Sequence, residues 1–301
     1  MSEKTKNITA SIHARLKNQA VMQGRPFAEI LQYYGMERFL YRLSQTEYAK
    51  EFVLKGGLLF YVWGISLRRP TRDIDFRSYV SNNHTFLLQV FQEILDYAVP
   101  EDGIDFDKNS ISIETTQKEA HYQGVRLKLI GSLGKARLPL QIDIGFSKKM
   151  GEEDESINYP NILSHTNIAK LKGYPKTLVI AEKFHAMIYY AELNSRLKDF
   201  YDIWLISKSF EIDGNSLQKA LQETFEKRET ELPNQRPLSF SKNFIAEKST
   251  PWAIFLKKLE LNDNVENDFA LVVERIWDFL SFPLQNPNIK NSTWSPEKGW
   301  S

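Results

Sequence analysis

The spacing of hydrophobic residues changes twice along the chain. Apolar residues recur every three or four positions between residues 8 and 48, which predicts helices. From Phe52 to Phe146 they alternate with polar residues or form short runs, which predicts strands, with one helical stretch at residues 84–98. The helical spacing returns beyond Pro175. We therefore expect an α+β fold with N-terminal helices, a mixed β-sheet core and a helical C-terminal half.

The strand pattern is the most informative part of this prediction. Five strands are predicted, at Phe52–Leu54, Asp73–Phe76, Ser110–Ile113, Val125–Leu129 and Leu138–Ile144. The last three follow one another closely enough to be antiparallel neighbours. Proline, asparagine and glycine cluster between Tyr159 and Pro175, which favours a domain boundary there. We expect one domain over residues 1–160 and a helical domain over residues 161–301, whose last twenty residues look like a tail.

The amino-acid composition excludes several kinds of functional site. The chain of 301 residues has no cysteine, which excludes disulfides, thiolate nucleophiles and zinc bound by cysteine. Its five histidines show no metal-ligand spacing, and its net charge of +1 favours no particular partner. The N-terminal residues lack the apolar stretch of a signal peptide, and the most apolar run, residues 58–67, is too short to span a membrane. We expect a soluble cytoplasmic protein that does not bind a membrane.

Two aspartates stand out in the second predicted strand. Asp73 and Asp75 are two residues apart in an alternating pattern, so they project from one face while Ile74 and Phe76 project from the other. Neighbouring carboxylates repel each other unless a cation lies between them, so the pair is a candidate Mg²⁺ site. The alternative is an ordinary solvated strand face.

A third carboxylate, Asp143, lies in the predicted strand at Leu138–Ile144, on the face opposite its apolar residues. If this strand pairs beside Asp73 and Asp75, the three acids form a candidate two-metal site for phosphoryl transfer. Alone, Asp143 would be an ordinary outward-facing residue.

A glycine pair, Gly56-Gly57, follows the first predicted strand and precedes a helix-like segment. Glycines allow a backbone to approach a phosphate, and a helix N-terminus favours an anion. Arg68, Arg69 and Arg72 lie before the first aspartate as candidate phosphate partners. A simple tight turn is the alternative interpretation of the glycines.

Together these segments resemble a known family. Leu54–Gly57 and Arg69–Phe76, followed by Ala181–Ala186 and Arg196–Trp204, are similar to the motifs of the AbiEii/AbiGii toxin family, part of the polymerase-β-like nucleotidyltransferase superfamily. The matches span roughly residues 50–207. Superfamily members often carry Gly-Ser where this chain has Gly56-Gly57, so a serine contact to phosphate is either absent here or supplied by Thr71.

The resemblance implies a role for each matched residue. Asp73 and Asp75 would bind Mg²⁺ or Mn²⁺, and Asp143 would be the third carboxylate and the base toward the attacking hydroxyl. Lys183 would hold triphosphate oxygens, and Asp199 would orient Lys183 or the nucleotide. Residues Gly56, Gly57, Thr71 and Arg72 would surround the phosphates. Without the resemblance, Lys183 is a lysine paired with a nearby acid and Asp199 is a helix-start carboxylate.

The function implied is transfer of a nucleoside monophosphate from a nucleoside triphosphate to a hydroxyl. The resemblance implies RNA, and tRNA in particular, as the acceptor, and a toxin role in an antiphage or toxin–antitoxin pair with an antitoxin encoded next to it. Basic residues Arg126, Lys128, Lys135 and Arg137 form a candidate RNA-binding patch. A glycosyltransferase using Asp-x-Asp, or a binding module without catalysis, are the alternatives.

Overall fold

The computed structural model describes residues 3–65, 70–119, 122–147, 154–190, 196–259, 265–286, 289 and 291–301. The chain divides into two compact units, Met1–Tyr174 and Pro175–Ser301. The candidate phosphate partners Arg68 and Arg69 lie outside the described residues.

Among the residues that the structure describes, the first unit contains four α-helices and a seven-stranded sheet. Its helices are α1 (Glu3–Gln23), α2 (Phe27–Ser44), α3 (Leu58–Val62) and α4 (His84–Asp96). Its strands are β1 (Phe52–Lys55), β2 (Asp73–Ser78), β3 (Ile104–Glu119), β4 (Tyr122–Leu133), β5 (Ala136–Phe146), β6 (Glu155–Tyr159) and β7 (Ala169–Gly173). The α+β prediction is therefore confirmed.

The sheet has the strand order β3-β4-β5-β2-β1-β7-β6. β3, β4 and β5 are antiparallel neighbours, as the short spacing between them predicts. β2 pairs with β5 in parallel and with β1 in antiparallel fashion, which makes the sheet mixed. The strand that carries Asp143 therefore does pair beside the strand that carries Asp73 and Asp75.

One face of this sheet is closed by helices. Phe52 and Phe76 from β1 and β2 are fully buried with Phe91 from α4 and Phe39 from α2. The rings of Phe52 and Phe76 lie 5.5 Å apart and those of Phe52 and Phe91 5.7 Å apart, both edge to face. Burying four aromatic side chains stabilises this layer by several kcal/mol, at about 2 kcal/mol for each. The polar residues of the same strands consequently project from the opposite face.

The first unit extends beyond residue 160. β7 pairs in parallel with β1, through Val53 opposite Lys172, and the Tyr174 amide donates to the Leu54 carbonyl. β6 then pairs with β7 along its full length. Because these pairings fasten residues 155–174 to the sheet, the two units separate after Tyr174.

The second unit is mainly helical. Its helices are α5 (Lys176–Tyr190), α6 (Leu197–Ser209), α7 (Gly214–Lys227), α8 (Lys242–Lys258) and α9 (Phe269–Gln285). A small antiparallel sheet joins β8 (Ile212–Asp213), β9 (Thr293–Ser295) and β10 (Gly299–Trp300). Within the described residues, no helix combines the length and the apolar character needed to cross a membrane.

The prediction that the last residues form a tail is wrong. Trp294 is buried, and its indole donates a hydrogen bond of 2.8 Å to the Ser207 carbonyl. The Trp300 indole donates to the Phe279 carbonyl, and its ring stacks on Phe282. Two tryptophans in a polar segment contribute enough apolar surface to fix it on the unit.

Candidate active site

A row of charged residues crosses five strands on the face of the sheet opposite the helices α2 and α4. Asp75 on β2 lies opposite Lys55 on β1 and opposite Asp143 on β5. Asp143 in turn lies opposite Arg126 on β4, which lies opposite Glu114 on β3. Because residues in register share a face, all five side chains project from the same side of the sheet. We call Lys55, Asp75, Asp143, Arg126 and Glu114 the charge row.

Asp73 lies beside this row. It is two residues before Asp75 on β2 and opposite Gln141 on β5, so it shares the face of Asp75. Both aspartates are partly exposed, whereas Ile74 and Phe76 are fully buried on the other face. The alternation predicted from the sequence is therefore present, and it presents two carboxylates side by side to solvent.

The Gly56-Gly57 turn lies directly beneath these acids. Gly56 has a φ of +74°, and a Cβ atom on it would lie only 2.3 Å from Asp75 Oδ2. A Cβ atom on Gly57 would lie 2.1 Å from Thr71 Oγ1. The Thr71 hydroxyl thus takes the space that a side chain at position 57 would need. A serine at position 57 would therefore require the Thr71 side chain to move.

The segment before β2 is held by the helix α2. The Thr71 amide donates a hydrogen bond of 2.8 Å to the hydroxyl of Tyr33 on α2. Burial raises the pKa of Tyr33, so this hydroxyl stays neutral at physiological pH. Arg72, the next residue, is exposed. The predicted phosphate-binding residues Gly56, Gly57 and Thr71 are therefore brought together, with Arg72 at their edge.

Asp143 is held by an arginine. Arg126 Nε lies 2.8 Å from Asp143 Oδ1, and Arg126 Nη2 lies 3.0 Å from Oδ2. The Asp143 side chain is only 6% exposed, against 32% for Arg126. Hydrogen bonding to Asp143 raises the pKa of Arg126. Such a two-point contact is the strongest arrangement for an arginine and a carboxylate.

The ligand atoms of the three aspartates suit a hard divalent cation, but the three carboxylates do not converge on one point. Asp73 and Asp75 offer the oxygen ligands that Mg²⁺ and Mn²⁺ take, and the glycine turn leaves room for Asp75. Among the described residues, no three His, Cys, Asp or Glu side chains form a group that could hold a metal. Both oxygens of Asp143 instead accept from Arg126.

The family is decided by comparison with protein-family models. The model described as nucleotidyl transferase AbiEii toxin, of a type IV toxin–antitoxin system, matches residues 38–279. The chain belongs to the AbiEii family. It is therefore a nucleotidyltransferase of a toxin family, and the glycosyltransferase interpretation of Asp-x-Asp is set aside.

Two solved structures are similar to this AbiEii family member. One is a candidate nucleotidyltransferase from H. pylori, with 16% identity and a TM-score of 0.45 over 95% of this chain and 98% of that chain. The other is JHP933 from Helicobacter pylori, with 15% identity and a TM-score of 0.47 over 95% of each chain. No curated protein sequence matches the chain.

The second unit of the AbiEii protein carries the two remaining predicted residues. Lys183 on α5 lies 3.0 Å from Asp199 Oδ1 and 2.6 Å from Asp202 Oδ2, both on α6. Arg196 Nε lies 3.3 Å from the second Asp199 oxygen. The side chains of Lys183, Asp199 and Asp202 are 14%, 4% and 2% exposed. The structure brings Lys183 and Asp199 into contact, together with Asp202 and Arg196.

The sequence analysis does not single out two residues of these clusters, Lys55 in the charge row and Asp202 beside Lys183. The sequence motif includes Lys55 only as the residue before the glycines, yet Lys55 lies opposite Asp75, with its ammonium 5.8 Å from the Tyr174 ring centre. Its position at the end of a strand, directly before the glycines, was the available signal. Asp202 follows Asp199 by three residues, so both lie on one side of α6. That spacing could have identified it.

Proposed function

We propose that this AbiEii nucleotidyltransferase uses Mg²⁺ or Mn²⁺, held by Asp73, Asp75 and Asp143, to transfer a nucleoside monophosphate from a nucleoside triphosphate to a hydroxyl, with pyrophosphate as the leaving group. The observation that supports this best is the register of β2 and β5. It places Asp75 opposite Asp143, with Asp73 on the same face and the Gly56-Gly57 turn directly beneath. A triphosphate site needs this combination of carboxylates and close backbone.

Each residue of the site has a distinct task in this proposal. Bound metal ions would neutralise charge on the phosphate under attack. Gly56 and Gly57 let the triphosphate approach the backbone, and the Thr71 hydroxyl donates to a phosphate oxygen in place of the superfamily serine. Lys55, opposite Asp75, adds a positive charge on the same face. Asp143 accepts the proton of the attacking hydroxyl once its oxygens are released.

Lys183 is assigned to triphosphate binding, with Asp199 as the residue that orients it. The ammonium of Lys183 lies between two buried carboxylates, and each of them stabilises its positive charge. Its side chain is also fixed in direction, which reduces the entropy lost when it meets a phosphate oxygen. Lys183→Ala should therefore weaken triphosphate affinity as well as turnover.

We propose RNA, and tRNA in particular, as the acceptor class. Lys128 and Arg137 lie on the same face of the sheet as Asp143, and both are exposed. Lys128 forms a 3.0 Å ion pair with Glu114. Such an exposed pair is weak, so the lysine can exchange its partner for an RNA phosphate. The acceptor strand would then lie beside the acids that act on it.

The biological role proposed is that of a cytoplasmic toxin in an antiphage or toxin–antitoxin pair, with an antitoxin encoded next to it. The family description supports the toxin–antitoxin part. Modification of an essential RNA by nucleotide addition would stop growth, and the antitoxin would prevent or reverse that effect.

The direct test is incubation with each α-labelled nucleoside triphosphate in turn, Mg²⁺ and total RNA. We expect label from at least one triphosphate in the RNA fraction, and in tRNA after separation by size. Asp75→Asn, which keeps the shape of the side chain but removes its charge, should abolish labelling. Label in protein would redirect the acceptor, and no label with any triphosphate would contradict the proposal.

A further inference from the structure

The Arg126–Asp143 pair occupies the oxygens that the proposed metal site requires. Arg126 uses two nitrogens, at 2.8 Å and 3.0 Å, to bind both oxygens of Asp143. A divalent cation prefers those same oxygens. The guanidinium also adds a positive charge beside the site, which repels a second cation. Arg126 and a metal ion therefore compete for one carboxylate.

From this competition we propose that Arg126 holds Asp143 out of the metal site until a triphosphate arrives, which makes Arg126 a positioning residue for the third carboxylate. This inference rests on the proposed function. In the free enzyme the metal would have only Asp73 and Asp75 as carboxylate ligands. In the nucleotide-bound enzyme Arg126 binds phosphate oxygens, and Asp143 joins the metal.

The surroundings of Arg126 permit this exchange. Its side chain is 32% exposed, whereas Asp143 is almost completely buried, so the arginine is the partner that can move. The carboxylates of Asp73 and Glu114 also attract the guanidinium of Arg126 electrostatically, so Arg126 interacts with acids other than Asp143. Phosphate groups bind arginine in the same two-point geometry as a carboxylate. A triphosphate at the glycine turn therefore offers Arg126 a replacement for Asp143.

The exchange has to be coupled to metal binding. Leaving a buried carboxylate without a cation is unfavourable, so Asp143 can release Arg126 only when a metal ion takes its place. Metal and triphosphate would then each strengthen the binding of the other, and the coupling would pass through Asp143.

The test measures protein-bound Mn²⁺ by equilibrium dialysis, with and without inorganic triphosphate equilibrated across the membrane. Asp143→Asn should leave Mn²⁺ affinity within about twofold of the wild type without triphosphate, and lower it about tenfold or more with triphosphate. Arg126→Gln should raise Mn²⁺ affinity without triphosphate by about tenfold, and adding Asp143→Asn should cancel that gain. Thermal unfolding of each variant verifies that it is folded.

A matched control separates this exchange from a general change of charge. Lys172→Gln removes one positive charge from the same face of the sheet, and β7 lies two strands away from β2, as does the β4 of Arg126. Lys172 donates to Ser156 Oγ rather than to Asp143, so the variant should change Mn²⁺ affinity by less than about twofold, since screening weakens a charge about 10 Å away.

The outcomes distinguish the inference from the function on which it rests. If Asp143→Asn lowers Mn²⁺ affinity equally with and without triphosphate, or if folded Arg126→Gln gives no gain, Arg126 does not control Asp143. If Arg126→Gln does not fold, the Mn²⁺ affinity of Asp143→Asn with triphosphate, compared with its affinity without triphosphate, is sufficient to decide whether Arg126 controls Asp143. If the wild type binds no Mn²⁺ even with triphosphate, the proposed metal-dependent function fails instead.

Discussion

Gly56 leaves open the space that the Asp75 carboxylate occupies. An alanine there would adopt a φ of +74° and place its Cβ 2.3 Å from Asp75 Oδ2. The backbone strain costs about 1–3 kcal/mol, and the clash must displace Asp75. We expect Gly56→Ala to lose nucleotidyl transfer while the protein remains folded, as measured by transfer assay and thermal unfolding.

Gly64 provides the control for this variant. It has nearly the same φ, +76°, but a Cβ atom there would meet nothing within 4 Å. Gly64→Ala should show a similar loss of stability with full activity. Equal losses of activity in the two variants would mean that backbone strain, rather than the position of Asp75, explains the effect.

Individual residues were predictable from the sequence where a strand alternates. Asp73, Asp75 and Asp143 were placed on the polar face because their neighbours are apolar, and their strands do pair. The partner of Asp143 was not predictable in the same way. The sequence places Arg126 in an RNA-binding patch, but Arg126 binds Asp143 because of the β4–β5 register, which depends on a hairpin turn about eight residues away from either of them.

At the scale of elements, α2 holds the segment that leads into β2. Tyr33→Phe would leave the Thr71 amide without its acceptor in a partly buried position, which costs about 1–2 kcal/mol. The Thr71 hydroxyl would also lose its fixed direction toward the glycine turn. We expect both a lower free energy of unfolding and a higher KM for the nucleoside triphosphate.

The neighbouring residue on α2 offers a matched comparison. The Tyr34 hydroxyl donates a hydrogen bond of 2.8 Å to the Asp102 carbonyl, far from Thr71 in the chain. Tyr34→Phe should lower stability by a similar amount and leave KM unchanged. A higher KM in this variant too would show that any weakening of α2 disturbs the site.

The sequence predicts a strand well when the strand with which it pairs is close to it in the chain. The hairpins that join β3, β4 and β5 follow from alternation and short turns. β6 and β7 were not predicted, because each has five residues and β7 finds its partner β1 more than 100 residues earlier in the chain. The C-terminal strands were missed for the same reason, since β9 pairs with the distant β8.

At the scale of the whole molecule, RNA binding should depend on salt. Each phosphate contact contributes about 0.7–0.9 to the slope of log affinity against log salt. Lys128→Gln and Arg137→Gln should each reduce that slope by about this amount. Filter binding of tRNA at several salt concentrations measures it.

Lys108 is the control for the salt experiment. Like Lys128 it is an exposed lysine paired with a carboxylate, but its partner is Asp96 on α4, a helix of the closed side of the sheet. Lys108→Gln should leave the slope unchanged. A slope that responds to neither Lys128 nor Arg137 would remove this surface as the RNA site.

Stability should fall in mild acid because of one buried histidine. His185 Nδ1 lies 3.3 Å from Arg228 Nη1, and Nε2 lies 3.1 Å from Thr230 Oγ1, which itself donates to the Arg228 carbonyl. The pattern fits a neutral ring that accepts from Arg228 and donates to Thr230. Burial, followed by the charge of Arg228, lowers the pKa of His185 from 6.5 to about 4.

The sign of the pH effect follows from this shift. Below pH 6.5 His185 binds a proton in the unfolded chain, whereas in the folded protein it stays neutral until about pH 4. The free energy of unfolding therefore declines as the pH falls across that range. The full loss is at most about 3 kcal/mol. Denaturant unfolding between pH 7 and pH 4 should show a steeper decline for the wild type than for His185→Gln. Parallel curves would assign the acid sensitivity to other groups.

The charge row also determines how substitutions combine. Its residues come from five strands, so neighbours lie about 5 Å apart while Lys55 and Glu114 are about 19 Å apart. Effects of paired substitutions at neighbours, such as Asp75 with Asp143, should depart from the sum of the single effects. Lys55 and Glu114 should instead combine additively unless the intervening charges rearrange. Pairs of substitutions in the charge row therefore measure how the electrostatic coupling between two residues decreases with the number of strands between them.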